Sequence, residues 1–580
     1  MSQASIMATG KCARYWFACG VLCAGMAIPA VAQQAAKSHH AVGSAEDDGD
    51  RAAPASAFVP VDSWIYGALE RLAALGYVDT AFMGLRPWTR VECARLIEEA
   101  EENLDDAEPP AAQPMKILHS LQAVFAEELK GDEAGYNFRL DSLYAGVATI
   151  AGPPLNDSYH FGQTVVNNFG RPYAQGFNQV SGFSGTGQAG RFTVYVRGEF
   201  QHAPGVPALS DTARSIIAAA DATPLQPASA IPDRNQFRLL EAYVSTSLAG
   251  MQFTFGRQNL WWGPGESGAM ILSNNAAPFT MLRITPVKPF QLPSVLGYLG
   301  PMRFDSFFGR LAGHHFPPAP FFYGQKISLK PTPNLEFGFS RTAVFAGQGV
   351  TPLTFSTFFH SLFSVTSGTT PGFNLRQNPG ARHASFDFSY RVPWLRRWLT
   401  LYSDSVVHDD VSPISAPRRA AINPGLYLSH VPKVPQLDLR VEAINTDPPT
   451  ARSIGGKFIY WEGIYRDAHT NQGNVLGNWV GREGKGGQAW LTYWLGPASK
   501  VQVGYRRAKI AKDFIPGGST PDDFSAGGSF RLRNDLDVTA YVQYERWKLP
   551  ALVTLPQSDV LTSVQVMWLP QLWLRRRHGP

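Results

Sequence analysis

From about Tyr136 onward, apolar and polar side chains alternate with a period of two. In GRFTVYVRGEFQ, Phe192, Val194, Val196, Gly198 and Phe200 share one face, and Arg191, Thr193, Tyr195, Arg197, Glu199 and Gln201 the other. LDVTAYVQYE sets Leu536, Val538, Ala540, Val542 and Tyr544 against Asp537, Thr539, Tyr541, Gln543 and Glu545. QLDLRVEA places Asp438, Arg440 and Glu442 on its polar face, and SFDFSYR places Asp387, Ser389 and Arg391 there. Alternate residues of a strand point to opposite faces, so these are strands with one apolar face. A half-exposed antiparallel sheet in a soluble protein would show the same alternation.

The charges and the connections separate the two cases. Charged residues recur on the polar face of strand after strand, as a hydrated lumen requires. Connections such as PNL and GPAS are short, whereas HAPGVPALSDTARSIIAAADATPLQPASAIPDRN and EGIYRDAHTNQGNVLGNWVGREGKGG are long. Short turns at one end and long loops at the other are the asymmetry of outer-membrane barrels. A spanning strand needs only ~9–11 residues. At about 25 residues per strand and connection, residues 136–574 hold roughly 16–18 strands.

Before Tyr136 the period is helical. In VDSWIYGALERLAALGYV, Trp64, Leu69, Leu72, Ala73 and Leu75 approximate one stripe, closed by Gly76. Thr89-Arg90-Val91-Glu92 reads as a capping box opening a second helix, with Thr and Glu each answering the other's free backbone N–H. Ile117, Leu118, Leu121, Val124 and Phe125 mark a third. Residues 58–131 are therefore expected to form a small helical subdomain. It is marginal in size for an independent core, and so is expected to pack against the barrel as a periplasmic plug.

The first residues imply export. Lys11 and Arg14 precede the apolar run Tyr15 to Ile28, and Ala30-Val31-Ala32 supplies a small-x-small cleavage pattern, so 1–32 reads as a cleaved signal peptide. Residues 33–57 are small and charged without periodicity, and read as a disordered leader; His39 and His40 within it read as a solvated pair. Of 4 cysteines, Cys12, Cys19 and Cys23 fall in the signal, leaving Cys93 alone, which excludes an intrachain disulfide or a cysteine metal cluster. A formal charge of +5, with both signs intermixed, argues against nucleic acid as a partner. Aromatic content of 12% with a mean hydropathy of -0.14 fits a barrel whose lipid face and polar lumen offset each other. Trp568 and Trp573 near the end read as a terminal aromatic girdle, leaving 575–580, with Arg575, Arg576 and Arg577, as a basic tail.

One stretch stands apart: GRQNLWWGPGESGAMILSNNAAPF (256–279), with Arg257, paired tryptophans Trp261 and Trp262, the turn Gly263-Pro264-Gly265, Glu266, and the amides Asn274 and Asn275. Placed after the strand MQFTFGRQ, the two tryptophans are expected near a membrane boundary, where amphipathic rings are favoured. The motif WWGPG followed by SNNAAPF resembles the Wzi-type capsule assembly proteins of Gram-negative outer membranes. The segment NQGNVLGNWVG, with Asn478 and Trp479, is similar to that family's late glycine-rich loop, and the helical opening is similar to its N-terminal region.

The resemblance implies a mainly β protein: a transmembrane antiparallel β-barrel of about 18 strands with a small N-terminal α-helical bundle. It implies an outer-membrane protein that binds and organises capsular or extracellular polysaccharide in a lectin-like way. The chain is further expected to be a monomer in contact with outer-membrane lipid, with polysaccharide export machinery as a possible partner. It brings no enzymatic activity, cofactor or metal. Trp261, Trp262, Glu266, Asn274 and Asn275 can be read as sugar contacts, or as girdle, core and backbone-satisfying residues, and both readings stay open. His314, His315, His360, the run His408-Asp409-Asp410 and His469 show no metalloprotease spacing, and no nucleophile elbow or phosphate loop is present. The rival reading is an outer-membrane porin conducting sugars or other small solutes.

Overall fold

The computed structural model describes residues 55–106, 112–130, 136–363, 378–395, 397–409, 412–448, 458–570 and 572–576. The signal, most of the leader and Arg577 lie outside the described residues.

The barrel strands, in chain order, are β1 (Tyr136–Ala151), β2 (Gly176–Ala189), β3 (Phe192–Ala203), β4 (Arg234–Leu248), β5 (Met251–Gln258), β6 (Phe279–Pro286), β7 (Met302–Arg310), β8 (Phe321–Thr332) and β9 (Leu335–Phe345). They continue as β10 (Ala381–Arg391), β11 (Leu399–His408), β12 (Ala421–Leu428), β13 (Leu437–Asn445), β14 (Lys485–Trp494), β15 (Lys500–Lys509), β16 (Asp522–Arg533), β17 (Leu536–Trp547), β18 (Gln557–Trp568) and β19 (Leu572–Arg576). From β1 to β18 each strand pairs antiparallel with its sequence neighbour, and β1 closes the sheet. One edge of β1 pairs with β2; the other is shared, Leu143–Ala151 taking β18 and Tyr136–Leu140 taking β19. Strands β18 and β19 thus act as one stave broken around Pro570, and the barrel is an 18-strand closed sheet. Closure leaves no edge, which a sheet in lipid requires.

The outward face is apolar: Phe192, Val194, Phe200, Phe237, Phe255, Val503, Phe524 and Val564 are all exposed. The inward face is charged and buried, with Arg197, Glu199, Arg283, Asp305, Lys326, Asp387, Arg506 and Asp523. Many are paired: Arg283 holds both oxygens of Asp305 at 2.8 Å, Lys326 reaches Asp387 at 2.5 Å, and Arg506 reaches Asp523 at 2.5 Å. Such pairs offset the desolvation each charge suffers.

Turns are tight at one end. Ala249 (φ 50°) and Gly250 (φ 74°) join β4 to β5 with both central residues left-handed, the hairpin geometry that matches strand twist. Pro333-Asn334 and Asn534-Asp535 make two further two-residue turns. The helical subdomain sits at this end. Helices α1 (Trp64–Ala74), α2 (Arg90–Asp105), α3 (Ala112–Val124) and α4 (Ala126–Lys130) enclose their own core of Leu69, Leu72, Trp88, Cys93, Ile97, Leu121 and Phe125. Thr89 caps α2, accepting the Glu92 N–H at 3.1 Å. Glu92 does not complete the expected box; its carboxylate binds Arg95 and, at 3.1 Å, Arg303 of β7, because an inward guanidinium is the stronger partner.

The helices are tied to the inner wall. Arg71 of α1 reaches Asp438 at 3.2 Å and the Pro435 carbonyl at 2.6 Å. Arg391 donates to the Ala73 carbonyl, Lys330 to the Ala81 carbonyl, and Glu336 accepts the N–H groups of Met83 and Gly84. Two boundaries differ from expectation. Ala55, Ser56 and Ala57, expected in the leader, are buried along the wall, where Gln252 exchanges hydrogen bonds with the Ser56 backbone and Thr193 donates to the Ala55 carbonyl. Arg575 and Arg576, expected in the tail, pair with Asn137 and Tyr136 as part of β19, because β1 offers unpaired backbone there.

Candidate functional site

At the opposite end, long loops fold inward rather than away. The segments 152–175, 259–278 and 458–484 together bury Tyr159, Trp262, Met270, Ile271, Leu272, Tyr460, Tyr465, Val475 and Trp479 in one core within the barrel.

The expected membrane-boundary place of Trp261 and Trp262 is corrected by this packing. Trp262 is 0% exposed; its indole N–H donates to Asp305 of β7 at 3.2 Å and its ring lies 5.4 Å from Phe307. Trp261 donates its indole N–H to the Gly263 carbonyl, and its backbone forms a two-way bridge with Arg86 of the helical subdomain. The turn glycines allow close approach to the wall. A Cβ on Gly263 would meet Asp404 Oδ2 at 2.2 Å, and one on Gly265 would meet Asn423 Nδ2 at 2.7 Å. Pro264 lies buried between them. Strands β11 and β13 then receive the loop's backbone: Asp404 accepts the Met270 N–H at 2.7 Å, and Glu442 accepts those of Glu266 at 2.6 Å and Ser267 at 3.1 Å.

The second sequence patch interlocks with the first. Asn478 donates to the Gly268 carbonyl at 2.6 Å, the Ser273 hydroxyl to the Gly477 carbonyl at 2.7 Å, and Asn471 to the Ala277 carbonyl at 2.8 Å. Asn275 accepts from Gln163 and the Asn167 N–H, and donates to the Val475 carbonyl. Asn274 contributes only through its backbone carbonyl, which accepts the Phe169 N–H at 2.7 Å; its side-chain Oδ1 is buried with no hydrogen-bond partner among the described residues. Trp479 is fully buried, with Arg506 4.7 Å over its ring. Irregular backbone inside a barrel must find partners, and these amides supply them. The carboxylate of Glu266 is partly exposed and 3.5 Å from Arg440, facing the cavity beneath the loop. Arg257 is half-buried near the end of β5, its Nε without a hydrogen-bond partner among the described residues.

A charged node joins four outer loops. His160 contacts Asp157 and Asp221 at 2.7 Å each through its two ring nitrogens. Asp221 closes a helix of the β3–β4 loop (Asp211–Asp221), and its other oxygen accepts from Arg482 at 2.7 Å. Arg482 lies 4.4 Å from the rings of both Tyr159 and Phe514. Burial is the largest single influence on His160 and pulls its pKa down, but the two carboxylates together outweigh it and raise it to about 9. Burial pushes Asp221 up, yet His160 and Arg482 bring it down to about 2. Sequence reading missed this node because its members lie 61 and 261 residues apart.

Of the histidines singled out in the sequence, His408 and His469 both flank His383: His408 Nδ1 lies 3.3 Å from His383 Nε2, and the His469 ring stands 4.5 Å from that of His383. His314 binds the Thr470 carbonyl, and the His315 N–H donates to Asp467. His360 lies on the helix Phe355–Phe363 of the β9–β10 loop. At the outer rim, Arg466 stands 5.8 Å over the Phe316 ring, and Arg238 donates to Gln472. At the tight-turn end, Tyr298, Trp394 and Trp398 are exposed.

A sequence model of the family described as capsule assembly protein Wzi matches residues 146–561. The chain belongs to that family. Among solved structures, Wzi of Escherichia coli, reported as an outer-membrane protein of group 1 capsule assembly and a carbohydrate-binding β-barrel, superposes with a TM-score of 0.62. That likeness covers 89% of this chain and 100% of the other at 17% identity, and so establishes the shared fold. A 55.8 kDa protein of the Klebsiella pneumoniae cps region is 25% identical over 31% of this chain and 35% of its own length. The outer membrane protein SlpA of Deinococcus radiodurans is 32% identical over 17% of this chain and 8% of its own length. The chain thus spans about a third or less of these two relatives. Membership and architecture together make this an outer-membrane β-barrel of the capsule assembly class.

Proposed function

We propose that the protein binds capsular or extracellular polysaccharide on its outer loop surface and holds it at the cell surface, without a catalytic step. The observation that carries this reading is the filling of the lumen by three inward loops, which gives the Trp261–Gly265 motif a packing role and leaves the rim as the face open to solvent. The rim offers what glycans bind: the Phe316 ring beside Arg466, and the Arg238–Gln472 pair, joined by a backbone bond from the Gln472 N–H to the Ala312 carbonyl. Aromatic faces stack on sugar rings, and guanidinium and amide groups match hydroxyls and acidic sugars. Trp261, Trp262, Asn275, Asn478 and Trp479 support the rim from beneath rather than touching glycan. The protein acts as a monomer, and the tight-turn end with its helices is the face available to export machinery.

The test is binding of purified acidic capsular polysaccharide to the immobilised, refolded protein. Saturable binding that weakens in Arg466→Ala and Phe316→Ala supports the reading; no saturable binding overturns it. A sugar-conducting channel is the second reading, favoured by a cavity of about 700 Å³ between the helices and the wall, lined by Asp62, Trp64, Arg197, Glu266, Trp494 and Arg531. Planar-bilayer conductance of the mature protein, with and without residues 58–130, separates the two. A silent intact barrel fits the glycan-holding reading, whereas a large steady conductance selects the channel.

A further inference from the structure

Asp447 and Glu483 lie at the two ends of the β13–β14 loop, and Asp513 lies in the β15–β16 loop. One carboxylate oxygen from each comes within 4.8 Å of the others. The Asp447 side chain is 4% exposed and Glu483 is 1% exposed. Each has one oxygen engaged: Asp447 Oδ2 meets the Lys485 ammonium at 2.9 Å, and Glu483 Oε2 accepts the Asp513 N–H at 2.9 Å. The second oxygens, Asp447 Oδ1 and Glu483 Oε1, are buried and accept no hydrogen bond from any described residue. A buried carboxylate oxygen without a donor is costly, and three carboxylates in one place add mutual repulsion. Lys485 is half-exposed and answers only one of them.

We propose that Asp447, Glu483 and Asp513 form a binding site for a hard divalent cation of the calcium type, which clamps the β13–β14 loop to the β15–β16 loop at the outer mouth. The donors are all oxygen, with no imidazole or thiolate among them, which selects a hard ion over zinc or copper. Calcium suits ligands drawn from two irregular loops, because it accepts variable coordination, while magnesium demands near-ideal octahedral geometry. The backbone already brings the loops together here, the Ala511 N–H donating to the Glu483 carbonyl at 3.1 Å. Arg482, next in chain to Glu483, carries the clamp into the His160–Asp221 node. The site does not depend on the glycan reading, and its failure would leave that reading standing.

The experiment is calorimetric titration of calcium, then magnesium, into the chelator-stripped mature protein refolded in detergent, alongside Glu483→Gln, Asp447→Asn and Asp513→Asn. Folding of each variant is checked by its heat-modifiable gel mobility without calcium. Asp513→Asn alters a partly exposed side chain and so tests the site even where a buried substitution hinders folding. The expected result is a single calcium per barrel, weakened roughly tenfold or more in each folded variant, with magnesium weaker than calcium in the parent protein. No calcium binding by the parent, unchanged affinity in the folded variants, or equal binding of magnesium overturns the proposal.

Discussion

Glu442, pointing inward from β13, accepts the backbone N–H of Ser267 at 3.1 Å, one residue beyond the Glu266 N–H it holds at 2.6 Å. The same carboxylate accepts the Tyr402 hydroxyl at 2.7 Å. One wall residue therefore fixes the turn that follows the paired tryptophans.

Replacing Glu442 with alanine leaves those two N–H groups and the Tyr402 hydroxyl without their acceptor. An unsatisfied buried donor costs about 1–3 kcal/mol, so a loss of roughly 3 kcal/mol or more is expected. The midpoint of heat-induced gel-mobility change should fall clearly below that of Glu442→Gln, which keeps an acceptor.

Trp262 separates packing from recognition. Truncation to alanine should cost about 3–5 kcal/mol, as for other buried tryptophans. Trp262→Phe should lose the bond to Asp305 yet leave polysaccharide affinity unchanged, because the ring is closed to solvent. A large loss of affinity in a stably folded Trp262→Phe would place the glycan inside the loop core instead of on the rim.

The His160 node predicts a pH window for the outer loops. His160 is raised in the folded state, so its contribution is full below about pH 6.5 and is lost as pH rises through about 9. Asp221 is lowered, so its contribution is full above about pH 4 and is lost as pH falls toward about 2. Protease resistance of the loops should therefore be greatest between these limits. His160→Gln should remove the alkaline limb, worth on the order of 3 kcal/mol, and should shrink the acid limb to the part that Arg482 alone supplies to Asp221.

Cys93 reports on the helical end. It is fully buried, and burial raises its thiol well above the ordinary range, so maleimide should not label it in the intact protein. Arg71→Ala removes the ties to Asp438 and the Pro435 carbonyl. Labelling of Cys93 in that variant at temperatures where the barrel remains folded would show the helices opening independently; unlabelled Cys93 up to barrel unfolding would show one cooperative unit.

Period-two alternation was enough to assign the inward and outward faces of β3, β13 and β17, because a side chain's face depends only on its place in the strand. The helical stripes of α1 to α3 were equally legible, being local. Sequence also singled out WWGPG and the Asn478–Trp479 segment, since so many turn and amide residues in one place demand a specific backbone path. It did not show where that path leads. Trp262 looks the same in sequence whether it anchors at a membrane boundary or donates to Asp305; only the inward fold of three loops decides. The His160–Asp221–Arg482 node and the Asp447–Glu483–Asp513 cluster were invisible for the same reason. Their partners come from different loops, and which loops meet is set by barrel closure, a property of the whole sheet and of no single segment.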